Sequence, residues 1–372
     1  MKKYKQLGLF KSKGRLVNES YSKYRSPFQR DRDRIIHSAA FRRLKHKTQV
    51  FVNTEGDHYR TRITHSLEVA QIARSITRYM NLNDDLSETL SLAHDLGHTP
   101  FGHAGEESLN DCMIKHGGFD HNLQTLRIVM FLENKYLNFS GLNLTLETLD
   151  GLLKHNGPIK FTKKINEIIG LKNFKNKINF TKSPSIEAQI SSISDDIAYN
   201  NHDIQDGLKA NLFSLNELIE INFFKEIHSS YKKKIKKNNK NILIYQIIRD
   251  SIDLMVKDLI NNSIKNINVN KIKTTNDIYN FPKQIVCFSN KFKFIEKEIR
   301  LFLRQKMYNN KFVLVKNNNG KKIIKKLFSV ISKKPKKFLS KESLIIDKNR
   351  AVADFISGMT DRYAINLFKT LK

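Results

Sequence analysis

Four short stretches of this 372-residue chain bring together residue types that do chemistry. Arg62-Ile-Thr-His65-Ser-Leu-Glu68 sets a cation and an imidazole one helical turn apart. Ala93-His94-Asp95-Leu-Gly-His98-Thr-Pro-Phe-Gly-His103-Ala-Gly-Glu106 alternates imidazoles and carboxylates with helix-ending residues. Phe119-Asp120-His121-Asn122 and Ser194-Asp195-Asp196-Ile-Ala-Tyr199-Asn-Asn-His202-Asp203 follow. Two imidazoles and two carboxylates suit a first-row divalent metal, or Mg²⁺ or Mn²⁺ where water and phosphate oxygens fill the remaining positions. His98, His103 and His121 are acid–base candidates, because an imidazole titrates near working pH. A lone helix histidine such as His65 is more often a cap or core residue, and a single His-Asp pair says little. The weight lies in the set: a histidine on one helix, His-Asp at the end of another, and an aspartate on a third.

The elements that must position these groups are helices. Adjacent His94 and Asp95 point apart in a regular helix, so they share an ion only at a helix end, and Gly97 and Pro100 supply that end. Apolar spacing predicts helices over about 64–79 (Leu67, Ala70, Ile72, Ile76), 85–96, 103–116, 120–136, 145–154 and 184–209. Ser26-Pro27-Phe28 leads into an earlier helix through Ile35, Ala39 and Phe41. Val50-Phe51-Val52, then Asn53-Thr54-Glu55-Gly56-Asp57, predict a short hairpin or loop between Thr48 and Arg62. Between about 211 and 340 the chain turns Lys/Asn-rich but keeps helical apolar spacing. There, Val313-Leu314-Val315 ahead of Asn317-Asn318-Asn319-Gly320 predicts one short strand. A single last helix is expected over about 348–371, with Ala351, Phe355, Ile356, Met359, Ala364 and Phe368 on its apolar positions. The class is therefore mainly α, with at most a short β-hairpin. Residues 1–61 are expected to contribute to the pocket, 62–210 to form the catalytic domain, and 211–372 to be a helical extension whose last helix packs back on the core.

Composition narrows the partners. Lys and Arg number 66 against 36 Asp and Glu, a formal charge of +30. That excess suits nucleic acid, an acidic membrane surface or a phosphorylated substrate. The Lys/Asn runs (KKKIKKNNKN, KNNNGKKIIKK) read more readily as compositional drift on a solvated face than as a nucleic-acid surface, and carry no zinc-finger or RNA-recognition signature. Two distant cysteines, Cys112 and Cys287, exclude a disulfide framework and fit a reducing compartment, so a cytoplasmic location is expected. The N-terminus has no apolar signal core, and the most apolar stretch, Asn241 to Ile260, is broken by Arg249, Asp250, Asp253, Lys257 and Asp258; no membrane contact is expected.

The stretches RTRITHSLEVAQIAR, LAHDLGHTPFGHAGE, FDHNLQTLRIV, ISDDIAYNNHDIQDGL and GMTDRYA resemble the HD-superfamily deoxynucleoside triphosphate triphosphohydrolases, the bacterial dGTPase-like proteins. The resemblance covers the first 210 residues and about 350–365. It implies an HD-domain helical bundle that hydrolyses dGTP or several dNTPs to deoxynucleoside and inorganic triphosphate. It implies one divalent cation, Mg²⁺ or Mn²⁺ with iron or another transition metal as the alternative, on His65, His94, Asp95 and one of Asp195 and Asp196. Asp195, Tyr199 and Asp203 share one helix face, which favours Asp195. Arg62 is then the phosphate contact and Arg350 a further one. His103 and His121 become proton donor and neighbour, Glu106 orients His103 from one turn on, and His98 faces phosphate. Gln49 and Asp203 would hold the 3′-hydroxyl while Tyr199 excludes a 2′-hydroxyl. Homo-oligomers, and a nucleotide or single-stranded nucleic acid as effector, are further implications. The rival readings are another HD-domain nucleotide phosphohydrolase, or a nucleic-acid-binding protein with a vestigial site.

Overall fold

The structure is a computed structural model that describes residues 4–49, 59–231, 240–345 and 347–371. Its first helix, α1 (Pro27–Ile36), starts on a capping box between Ser26 and Gln29, with Pro27 in the first turn, where its missing N–H costs nothing. Ser38 caps α2 (Ala39–Arg43), so the helix expected through Ile35 and Phe41 is two helices broken at His37. The hairpin expected at Val50 to Asp57 lies outside the described residues. On either side of it, Thr48 and Thr61 form one isolated antiparallel bridge; Arg15 and Thr145 form another, and no longer strand occurs among the described residues.

The helices that carry the chemistry come next. They are α3 (Arg62–Met80), α4 (Asp84–Ala93), α5 (Gly102–Met113), α6 (His121–Arg127, continued by a π-helical turn Ile128–Leu132), α7 (Leu146–Leu153), the short α8 (Lys163–Ile168) and α9 (Ile186–Lys209). Asn83 caps α4 and Asp84 and Asp85 sit in its first turn, where carboxylates favour the helix dipole. Helices α3, α4 and α9 pack on one another, and α1 lies against α4.

The remainder is α10 (Leu215–Leu218), α11 (Asn222–Ser229), α12 (Lys240–Val269), α13 (Thr275–Asn280), α14 (Asn290–Leu303), α15 (Lys311–Lys333), α16 (Lys348–Ser357) and α17 (Asp361–Thr370). Two expectations fail here. Val313 to Val315 are helical, and Asn317 to Gly320 continue the helix instead of turning. Val313, Gly320, Ile324, Leu327 and Ile331 form the buried stripe of α15, and that tertiary burial overrides the local turn preference. The last helix is also two: α16 stops at Gly358, and Thr360 caps α17 afresh.

Three apolar clusters organise the molecule. The first joins α3 and α9 to α11, α12 and α14; the second joins α1, α4, α6 and α7. The third packs Leu109 and Met113 of α5, with Phe101 and Phe119, onto α15, α16 and α17. No described helix is long and apolar enough to cross a membrane.

Candidate metal and acid–base site

Helix α4 ends at Ala93, so His94 and Asp95 stand in the tight turn that follows. His94 is anchored there: its Nδ1–H donates to the Ser91 carbonyl at 2.7 Å, which leaves Nε2 bare, buried and without a partner. His65, from α3, sets its Nε2 2.8 Å from Oδ1 of Asp195 on α9. His94 Nε2 lies 3.6 Å from the same oxygen. Donor atoms of His65, His94 and Asp195 all fall within 4.8 Å of one another. This donor set could hold a divalent cation: two imidazoles, each with a buried nitrogen that has no hydrogen-bond partner (Nδ1 of His65, Nε2 of His94), and a carboxylate.

Asp95 stands beside this trio. One oxygen is 3.5 Å from His94 Nε2 and 3.0 Å from His98 Nδ1, and the other accepts from Arg62 Nη1 at 2.9 Å. Burial raises the pKa of both aspartates, but charge outweighs it. Arg62 and the nearby histidines hold Asp95 well below the usual carboxylate range, and His94, His155 and His65 do the same for Asp195. Both are anionic at neutral pH. Asp196 turns away to Arg300 at 2.6 Å.

The remaining histidines form a second group. Donor atoms of His98, Glu106 and His121 also lie within 4.8 Å of one another, and the His98 and His121 rings are 4.0 Å apart. Glu106 accepts from the His121 backbone N–H at 2.9 Å and faces its Nδ1 at 2.8 Å. His103, expected to be the partner of Glu106, is 3.6 Å away with a 75% exposed side chain. Glu106 therefore orients His121 and touches His103 only loosely. Burial, then the Arg62 charge, keep His98 well below an ordinary histidine, so it is neutral.

This second group depends on a close approach of backbones. A Cβ on Gly97 would lie 2.0 Å from the His121 carbonyl oxygen and 2.4 Å from the Thr125 nitrogen. Gly97→Ala should therefore destabilise the fold by about 3 kcal/mol or more, since main chain cannot move aside as a side chain does. A thermal melt checks it; an unchanged melting temperature would mean α6 sits farther from this turn.

Both groups open onto one cavity of about 410 Å³, within the usual span of ligand clefts, about 300–1,000 Å³. Gln49, Arg62, His103, Tyr199 and Tyr308 also line it. Gln49 Oε1 is buried with no partner. Tyr308 donates to Asp203, and its ring stacks on Tyr199 at 6.1 Å and 16°. Burial pushes Asp203 up to about 7. Arg350 does not line the cavity. Its Nη2 donates to the His116 carbonyl at 2.8 Å.

Several lining residues escaped the sequence reading, among them four with polar side chains. His155 follows α7, stacks on His94 at 5.4 Å and 20°, and puts Nε2 3.5 Å from Asp195 Oδ2. Its signal was there: a histidine just past a predicted helix with Gly157 two residues on, the same local pattern as His94 before Gly97. Arg300, Tyr308 and Asn317 come from the Lys/Asn-rich half, where nothing local marks them.

Known proteins resemble this chain along nearly its whole length. Residues 62–200 match the HD domain, and residues 286–370 match the phosphohydrolase-associated domain. The chain is 73% identical over 99% of its length to the whole of a deoxyguanosinetriphosphate triphosphohydrolase-like protein of Pelagibacter ubique. It is 44% identical to a protein of that description from Rickettsia felis, over 97% of this chain and 95% of that one. A third, from Bartonella quintana, is 45% identical over 97% and 92%. The histidine–aspartate site on a helical bundle, with relatives matching it end to end, places this chain in the family of deoxyguanosinetriphosphate triphosphohydrolase-like proteins, HD-domain nucleotide phosphohydrolases.

Proposed function

We propose that this protein hydrolyses deoxynucleoside triphosphates, dGTP or several dNTPs, to deoxynucleoside and inorganic triphosphate. The observation that most supports this is the opening of both polar groups onto one cavity that Tyr199 and Tyr308 also line, with the buried Asp203 held by the Tyr308 hydroxyl behind them. His65, His94 and Asp195 would hold a divalent cation, with Asp95 completing the set from beside His94. Mg²⁺ or Mn²⁺ is the expected ion, and two imidazoles also suit iron. When bound, such an ion polarises the α-phosphate and offsets its charge.

The chain's own residues do the rest. Arg62, already drawn to Asp95, offers its remaining donors to phosphate oxygen. One water adds at the α-phosphorus and the bond to the sugar O5′ breaks, so one proton leaves the water and one must reach O5′. His121 donates from Nδ1–H to Glu106, whose hydrogen bond and charge outweigh burial and favour the doubly protonated imidazolium, and that form carries the proton at Nε2 that O5′ needs. His98, neutral and with Nδ1 turned to Asp95, presents a bare Nε2 that can take the proton from water. His103 stands exposed at the mouth, where it meets the triphosphate. Gln49 and Asp203 bind the 3′-hydroxyl. Tyr199, stacked and half fixed by Tyr308, leaves no room for a 2′-hydroxyl.

Chromatography of products from the four dNTPs and GTP, with and without Mn²⁺, tests this. Inorganic triphosphate with deoxynucleoside is expected from dNTPs, and little from GTP. Orthophosphate or pyrophosphate would point to another nucleotide phosphohydrolase. No hydrolysis, even with mixed dNTPs present, would end the proposal.

A further inference from the structure

The two C-terminal helices touch the site from behind, at four points. Arg350 of α16, 4% exposed, donates from Nη2 to the His116 carbonyl at 2.8 Å, just before the turn that delivers His121. One helical turn on, Asp354 accepts from Gln124 Nε2 at 3.0 Å and from Arg127 Nε and Nη2 at 2.9 and 2.6 Å, all on the helix that His121 begins. The Ser357 carbonyl accepts from Lys47 Nζ at 2.8 Å, and the same ammonium also donates to the His98 carbonyl. At the start of α17, Asp361 accepts through Oδ2 from the Thr48 N–H at 2.9 Å and from the Thr48 hydroxyl, and through Oδ1 from the Phe101 N–H at 3.0 Å.

These contacts share a pattern. Residues 350, 354 and 357 fall on one face of α16, the spacing by which a helix presents a single stripe. Their targets are the segments that carry His121, His98, His103 and Gln49. Phe101 needs such a hold: its φ is +63°, a left-handed conformation that a bulky side chain rarely adopts without external restraint. The apolar packing divides the same way. Helix α5, with His103 and Glu106, rests on α15 to α17 in the third cluster, whereas α3, α4 and α9, which carry or lead into the cation ligands, rest in the first two.

We propose that the C-terminal helix pair is a positioning element for the acid–base edge of the site and not for its cation edge, with Asp354 and Asp361 as the principal positioning residues. Asp354 fixes where His121 stands, and Asp361 fixes Gln49 and the loop ahead of His103. The phosphohydrolase-associated region then completes the site by aiming residues it does not itself contain. This rests on the function proposed above for what the edge does, but the aim itself is independent of it.

The test uses the full chain with Asp354→Asn, Asp354→Glu and Asp361→Asn. Three readouts are taken: Mn²⁺ affinity by calorimetry, kcat and KM for dNTP hydrolysis, and amide hydrogen exchange by segment. Asp354→Asn should lower kcat by about ten- to a hundredfold, the scale of a misplacement near 1 Å, with KM little changed. Asp354→Glu should recover part of that loss. Asp361→Asn should raise KM through Gln49 as well as lower kcat. Mn²⁺ affinity should stay within about twofold in all three. Exchange should speed up in 98–103 and 116–121 but not in 65–76 or 186–200. Loss of Mn²⁺ affinity in parallel with kcat, or exchange raised evenly over the chain, would reduce these residues to general fold stabilisers and overturn the inference. Unaltered kcat and exchange would overturn it too. Should Asp361→Asn fail to fold, Asp354→Asn and its glutamate rescue carry the same decision. Should the wild type hydrolyse no dNTP, the functional proposal falls, and the Mn²⁺ and exchange measurements still decide this one.

Discussion

Asp195→Asn should abolish tight divalent-cation binding and lower turnover by roughly 10³-fold or more, the scale of removing one strong charge contact from a reacting centre. Asp195 supplies the one carboxylate of the trio, with His65 at 2.8 Å, His94 at 3.6 Å and His155 at 3.5 Å. Asparagine keeps the shape but leaves Asp95 as the one carboxylate beside two imidazoles and an amide, a much poorer home for a hard dication. The fold should survive, because Asp195 sits mid-way along a 24-residue helix whose other face is core. Two companion variants sharpen the result. Asp196→Asn should leave Mn²⁺ affinity unchanged, since that carboxylate serves Arg300. His155→Ala should weaken affinity by about tenfold, as loss of an outer partner of a ligand does. Calorimetric Mn²⁺ titration with circular dichroism checks all three. If Asp196→Asn lost the ion and Asp195→Asn kept it, the ligand choice made from the helix face would be reversed.

What the sequence revealed and what it concealed divide along physical lines. Helix starts and the metal-bearing segments were legible because their causes are local: Asn83 caps α4, Ser26 and Gln29 close a box on α1, and His94-Asp95 falls just where the helix runs out. The split of the last helix was also local, at Gly358 and Thr360, but its apolar period runs through the break and hid it. Gly320 shows the opposite case. Its Asn-Asn-Asn-Gly setting is turn chemistry, yet a Cβ there would lie 2.8 Å from two atoms of the Phe101 side chain. The glycine is there so that α15 can approach Phe101 closely, a requirement set by a residue more than two hundred positions away. Glu106 shows a long-range partner too: besides His103 at 3.6 Å it faces His121 Nδ1 at 2.8 Å. Sequence proximity favoured His103, three residues back; His121, fifteen residues on, arrives by a loop and comes closer. Arg350 read as a phosphate contact because a helix-opening arginine beside the family motif looks free, and only the fold shows the His116 carbonyl waiting for it.

Glu106→Gln should shift the pH dependence of turnover toward acid and cost about 10²-fold above neutral pH, the range of a disabled acid–base catalyst. Burial alone would depress His121, but the hydrogen bond and charge of Glu106 outweigh it and hold the imidazole above its ordinary value. At Glu106 burial raises the pKa, but the contacts with His103 and then with His121 overcome it and hold the carboxyl far below the usual range. The sign follows for catalysis. A proton donor works while protonated, so activity is full below the pKa of His121 and falls as pH rises through it. Glutamine removes the charge that raises this pKa, so the alkaline limb moves to lower pH and the loss grows from mild near pH 6 to severe near pH 8. It follows for stability as well. A raised histidine contributes stability that is present below about 6.5 and lost as pH climbs through the folded value; a lowered glutamate contributes stability present above about 4.3 and lost as pH falls through its folded value. The pair therefore helps most between those limits, and Glu106→Gln should lower the melting temperature most near pH 5.5. Rate profiles from pH 5 to 9, with melts over the same range, check both signs. An alkaline limb that stayed in place would take the proton-donor role from His121 and leave the exposed His103 to hold it.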